Sequence, residues 1–175
     1  FDGTGDYLNY ATKTAFGFGT GDFTMECMIR VPSAANDDIL DMRTAEPSVK
    51  VDMFLTGAGT VAGWVNGADL PARGGSLTNG TWTHWTFCRS GTTTRMFLAG
   101  TLTNSATDSN NYGTTAPLFV GEAFDLAKSF NGWLSNIRIT KGIARYTANF
   151  TPPTLPFELG AAAIIMRPSP SFIDA

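Results

Sequence analysis

The segment that most constrains this chain is residues 22–31, "DFTMECMIRV". Phe23, Met25, Cys27, Ile29 and Val31 alternate with Thr24, Glu26 and Arg30. Alternation of that length puts one apolar set on one face of a β-strand and a polar set on the other. A helix would instead need apolar residues at intervals of three and four. Pro32 ends the run, and "SAANDD" reads as a loop. Further strand candidates follow at 39–43, 49–56, 60–65, 82–90, 93–99, 118–121, 133–140 and 163–167. Turn signals stand between them, among them Asn66-Gly67, Asn79-Gly80 and Asn131-Gly132. Short strands at this spacing predict an all-β, two-sheet antiparallel β-sandwich. With 175 residues the chain is long enough for one domain with a sizeable core. No repeat of solenoid length is visible.

Only 15% of the residues are charged, against 19 glycines and 9 prolines, which disfavours helix as the main element. A net charge of -3 gives no general attraction to nucleic acid. The longest apolar run, 159–166, is too short for a membrane helix, so no membrane insertion is expected. The chain starts at Phe1 inside a strand-like pattern and reads as a piece of a longer polypeptide. Cys27 and Cys88 each lie in a strand-like run. They are either a disulfide between neighbouring strands or two buried thiols, and the frequent burial of free cysteine favours thiols.

Catalytic groups are sparse by spacing. His84, the one histidine, lies between Trp82 and Trp85 within a strand and reads as a hydrogen-bonded structural residue. A glycosidase on a sandwich needs carboxylates alternating along one strand. The nearest match, "DDILD", offers Asp37 and Asp41 on one face with Ile39 between them, so no hydrolase activity is expected. The Gly-x-Gly stretches at 3–5 and 19–21 precede no helix and read as turns rather than phosphate loops. No cofactor is implied. Calcium on Asp2, Asp6 or Asp22 is conceivable from carboxylate chemistry, with no spacing that assigns it.

Sugar sites combine an aromatic face with amide and carboxylate groups. Two places offer that mixture. One is Asn110, Asn111 and Tyr112, in a polar stretch at 103–116 that reads either as an exposed loop or as a strand edge with a turn. The other is Trp64 with Asn66, Asp69 and Arg73. The structural reading, favoured at each place by the frequent burial of aromatics, is that Trp64 packs in the core and that 110–112 merely turn the chain.

The segments "FDGTGDYL" (1–8), "FGTGDFTMECMIRV" (18–31), "TWTHWTFCRSGTTTRMFLAG" (81–100), "LFVGEA" (118–123) and "FNGWLSNIRITKGIARYTANFTPPTLPF" (130–157) together resemble laminin-G-like jelly-roll domains. These belong to the concanavalin A-like lectin/glucanase superfamily. The ending "ITKGIARYTANFTPP" is similar to modules of bacteriophage virion proteins. The resemblance implies a jelly roll over residues 1–157, with 158–175 as a C-terminal arm. It also implies a non-catalytic module of a virion surface, a capsid decoration or tail fibre. Its partners would be other virion proteins, copies of itself or host glycans. The alternatives are a carbohydrate-active enzyme or its binding module, and a bacterial adhesion domain placed at the extracellular surface. In such a domain the link at 139–153 closes the fold. Ile143, Tyr146 and Phe150 would pin it to a sheet, and Lys141 and Arg145 would be surface charges.

Overall fold

A computed structural model describes residues 1–46, 48–69, 73–154 and 157, together with the backbone of 163–166. It contains twelve strands: β1 Leu8–Lys13, β2 Phe23–Arg30, β3 Asp38–Asp41, β4 Asp52–Leu55, β5 Val61–Val65, β6 Ala68–Asp69, β7 Thr83–Ser90, β8 Thr93–Leu98, β9 Thr101–Thr107, β10 Ala116–Val120, β11 Trp133–Lys141 and β12 Ala163–Met166. The helical content of the described residues is a single 3-10 turn, Thr14–Phe16. One six-stranded sheet has the order β1-β10-β3-β4-β5-β6 and the other β12-β11-β2-β7-β8-β9, with every pair antiparallel. The expected sandwich is the observed one.

The alternation of β2 sets the core. Phe23, Met25, Cys27 and Ile29 are fully buried, with Trp85, Phe87 and Met96 from β7 and β8 beside them. Met53, Leu55, Val61, Leu118 and Val120 belong to the same apolar cluster from the opposite sheet. Phe18 stacks on Phe23 with ring centroids 4.3 Å apart. Burial of such side chains contributes about 1.5–3 kcal/mol each.

The outer, polar face of β2 is not left to solvent. Thr24 and Glu26 are also completely buried, because the link after β11 folds over them. Tyr146 and Phe150 stack on one another at 3.6 Å, and both rings, with Phe157, stand edge-on to His84. Beneath them Glu26 Oε1 accepts from Arg138 Nε at 2.7 Å, and Glu26 Oε2 accepts from the Tyr146 hydroxyl at 3.0 Å. His84 Nε2 lies 3.0 Å from Glu26 Oε2, the structural role expected of this histidine. Burial raises the Glu26 pKa, but hydrogen bonds from His84 and Arg138 outweigh it and hold the carboxyl below its usual value.

The link therefore closes the fold, with two differences from expectation. The Ile143 side chain is exposed, and only its carbonyl is used, accepting from Thr24 Oγ1. Arg145 is half-buried, bonded to Thr140 Oγ1 and 3.9 Å from Glu26. Gly100 lets the link approach: it has φ +77, and a Cβ there would stand 2.0 Å from the Phe150 carbonyl oxygen.

Both cysteines are free and buried. Cys27 points into the core, whereas Cys88 lies on the opposite face of the same sheet, with Sγ 3.0 Å from the Tyr146 carbonyl. Facing opposite ways, they have no geometry for a bridge. Burial pushes the Cys88 thiol up to about 12 and the Cys27 thiol higher. Both thiols are expected to resist alkylation in the native protein and to react on unfolding. Rapid labelling of the folded chain would contradict their placement.

The stretch at 103–116 follows the strand-edge reading rather than that of a single loop. Its first part belongs to β9, an edge strand paired with β8. Edge position explains why alternation is missing, since one flank and much of both faces remain exposed. The arm at 158–175 lies outside the described residues, apart from the backbone of β12, which pairs with β11. No helix among the described residues is long and apolar enough to cross a membrane.

Candidate functional site

Register builds a site on the outer face of the first sheet. Asp41 pairs with Asp52, Asp52 with Trp64, and Trp64 with Asp69, a row crossing β3, β4, β5 and β6. Directly opposed residues in antiparallel strands share a face, so these four side chains stand side by side. Asp38 pairs with Phe54 in the neighbouring row. A bulge between Asp38 and Leu40 turns both Ile39 and Leu40 inward and leaves Asp38 and Asp41 together outside.

That bulge is why "DDILD" misleads when read by strict alternation. Asp37 is not the partner of Asp41; its carboxylate accepts from the Asn131 backbone N–H instead. The signal in the sequence was the adjacent pair Ile39-Leu40, two large apolar residues that must both be buried.

Opposed carboxylates repel unless a cation bridges them. Arg43 does so. Its Nη2 lies 3.0 Å from Asp38 Oδ2, 2.8 Å from Asp41 Oδ2 and 2.9 Å from Asp52 Oδ2. Its Nε donates to Asp41 Oδ1 at 2.8 Å, and Nη1 pairs with Glu46. The Phe124 backbone N–H adds a bond to Asp41 Oδ2 at 2.8 Å, tying in the loop after β10. Hydrogen bonds and the charges of Asp52, Asp41 and Asp38 raise the Arg43 pKa despite burial, which keeps the guanidinium charged.

One guanidinium does not balance three buried acids. Burial pushes Asp38 up to about 7 against the pull of Lys128 and Arg43. Burial, then the charges of Asp38 and Asp41, raises Asp52 well above the ordinary carboxylate range. Asp38 Oδ1, Asp52 Oδ1 and Asp69 Oδ1 are buried without a hydrogen-bond donor. Asp38 Oδ1 does sit 3.8 Å from Lys128 Nζ, an ion pair too long for a hydrogen bond.

These residues line a cavity of about 400 Å³ whose walls include Phe54, Trp64, Phe124 and Lys128. Trp64 is half-buried, its Nε1 donating to Glu46 Oε2 at 3.4 Å. At the rim Arg73 Nε bonds Asp69 Oδ2 at 3.0 Å. Asp38, Asp41 and Asp52 each place an oxygen within 4.8 Å of the others, a set that could coordinate a hard cation such as calcium. Arg43 already holds one oxygen each of Asp38 and Asp52 and both oxygens of Asp41, so a metal would have to use Asp38 Oδ1 and Asp52 Oδ1 or displace the guanidinium. Asp2, Asp6 and Asp22 lie elsewhere and accept from turn backbone N–H groups.

Of the residues singled out by sequence, Trp64, Asp69 and Arg73 meet in this cavity, whereas Asn66 sits exposed in the turn after β5 with φ +53. The structure places the second group differently. Tyr112 is 1% exposed, packed edge-on to Phe18 and Phe23, and its hydroxyl is bonded to Asp108. Asn110 bonds Asp108 Oδ1, and Asn111 Oδ1 accepts from the Gly113 N–H. This segment thus offers no exposed aromatic face.

The sequence matches the family model of the concanavalin A-like lectin/glucanases superfamily over residues 2–144. No curated protein sequence matches the chain. Among solved structures, a Bacteroides ovatus protein with a proposed carbohydrate-binding role is similar, with TM-score 0.63, 14% identity, and coverage of 82% of this chain and 43% of that one. Domains LG4-5 of the mouse laminin alpha1 chain give TM-score 0.60 and 18% identity, covering 97% of this chain and 46% of theirs. Domain 4 of AbnA, an extracellular arabinanase from Geobacillus stearothermophilus, in complex with arabinotriose, gives TM-score 0.56 and 16% identity over 71% and 62%. The chain spans less than half the length of the first two. At these identities the likeness carries the fold alone.

Two expectations change. The absence of hydrolase capacity does not stand, because the clustered carboxylates that 37, 39 and 41 could not supply are present as Asp38, Asp41 and Asp52. Nor does the family model, or any of these three structures, tie the chain to a virion.

Proposed function

Because the chain belongs to the concanavalin A-like lectin/glucanase superfamily, we propose that the cavity over β3–β6 binds a glycan. One observation carries the reading: three carboxylate oxygens without donors share a cavity with the aromatic rings of Trp64 and Phe54. A ligand that fits must bring hydrogen-bond donors and an apolar face together. Sugars do both, through hydroxyls and axial C–H groups. Trp64 supplies the stacking face, and Asp69 and Arg73 meet hydroxyls at the rim. Lys128, with Nζ 5.5 Å over the Phe54 ring, closes the far wall.

The test is binding of a multivalent display of the domain to a glycan array, followed by monomer affinity for the best ligand. Trp64→Ala is expected to lower affinity at least tenfold, equivalent to ~1.4 kcal/mol. Asp69→Asn, at a partly exposed rim position, is expected to weaken it in the folded protein. Undiminished binding in both variants would remove the cavity from consideration.

A second reading, glycan hydrolysis, is favoured by one feature. Asp38 titrates near 7, so it holds a proton close to neutral pH beside a second acid, Asp52. Release of reducing ends from a bound glycan, abolished by Asp38→Asn or Asp52→Asn, would establish it. Placement on a virion rests on the sequence resemblance of 139–153; placement at an extracellular surface suits a glycan-binding domain equally. In either setting many copies would convert weak single-site affinity into avidity.

A further inference from the structure

A row of exposed side chains on the opposite sheet has no role in the cavity. Trp133 on β11 pairs with Arg30 on β2. The β2–β7 register, continued one residue beyond Ile29 and Thr83, brings Trp82 to the other side of Arg30. Directly opposed residues share a face, so Trp133, Arg30 and Trp82 line up on the outer surface of the sheet. The link that covers Glu26 and His84 leaves this end open: Trp82 is 43% exposed and Trp133 50%.

The centre of the row is a cation without an anion. The Arg30 guanidinium stands 4.9 Å over the Trp133 ring. Among the described residues it makes no ion pair, and its Nε has no acceptor. By contrast Arg43, Arg73, Arg89 and Arg138 each have a carboxylate within 4.0 Å. A guanidinium held against an indole keeps its remaining N–H groups in fixed directions, ready for an oxyanion. The two tryptophans sit two strand spacings apart, roughly 10 Å, far enough to address separate rings of one chain-like ligand.

We propose that Trp133, Arg30 and Trp82 form a second binding site, for an acidic saccharide. Arg30 takes the carboxylate or sulfate, and the indoles stack on sugar rings at either side. The ligand class differs from that of the cavity over β3–β6, where Arg43, Arg73 and Lys128 each already face a carboxylate.

The experiment is titration of the folded domain with polygalacturonate, with heparin and with neutral galactan, at 50 mM and 500 mM salt. The expected result is binding of polygalacturonate, heparin or both, with galactan at least tenfold weaker. Raising the salt should weaken the interaction severalfold. In a Trp64→Ala background, where the cavity has lost its stacking face, Arg30→Gln and Trp133→Ala should each lower the affinity at least tenfold. Trp133→Ala alters an exposed side chain and keeps the test valid if Arg30→Gln unfolds. Failure to bind either acidic polymer, or equal binding in Trp133→Ala, would overturn the proposal. So would self-association that Trp133→Ala abolishes, since the row would then be a contact between copies. Because the variants are compared without Trp64, failure of this site and failure of the cavity are read separately.

Discussion

Arg43→Met is expected to destabilise the domain by about 3–5 kcal/mol, the cost of removing one partner from a buried ionic group. The residue has no replacement. Asp38, Asp41 and Asp52 would face one another with only Lys128 nearby, and its Nζ is 3.8 Å from Asp38. The loss should depend on pH. The folded-state pKa values of Asp38 and Asp52 lie above those of an unfolded chain, so stability from this group is fully present below about pH 4. It declines as pH rises, and for Asp38 the decline runs through about 7. Without Arg43 the carboxyls are raised further, and the deficit should be greater at pH 8 than at pH 5. Urea unfolding of both proteins at the two pH values checks this. A loss below about 1 kcal/mol at both would mean that Arg43 does not hold the cluster together.

Glu26→Ala is expected to have a comparable effect, again about 3–5 kcal/mol, on the opposite sheet. It leaves the Arg138 guanidinium buried without its 2.7 Å partner, and takes the acceptor from Tyr146 and the nearest carboxylate from His84. Here the pH dependence has the opposite sign. The Glu26 pKa is lowered in the fold, so its contribution is present above about pH 4.5 and fades as pH falls through the folded value. The link should also loosen, since Tyr146 and Phe150 rest on this network. Limited proteolysis is expected to cut within 142–154 in Glu26→Ala under conditions that leave the wild type intact. Unchanged resistance and stability would show that aromatic stacking alone holds the link.

The architecture was legible because the core strand β2 alternates cleanly and glycine-containing turns separate the other strands. Legibility failed where a local device broke the period. The bulge at Asp38–Leu40 moved a carboxylate to the face that strict alternation denied it, hiding the acidic cluster. Trp64, Asp69 and Arg73 could be grouped by their nearness in the chain. Their meeting with Asp38, Asp41 and Asp52 depends on the register of β3 against β4, which a single strand does not encode. Tyr112 shows the reverse situation: polar neighbours leave a surface loop open as a reading, whereas Asp108 supplies the acceptor that lets the ring go inside. The burial of Glu26 is not legible locally, because the segment that covers it begins more than a hundred residues later.

The cavity as a glycan site is tested most directly by the indole N–H resonances of the four tryptophans during titration with the best array ligand. Trp64 stands at the cavity, Trp85 in the core, and Trp82 and Trp133 on the far face. The account predicts that the Trp64 signal shifts with saturation while Trp85 stays fixed, and that Asp69→Asn weakens the response. Saturable binding that leaves the Trp64 resonance unmoved would contradict it.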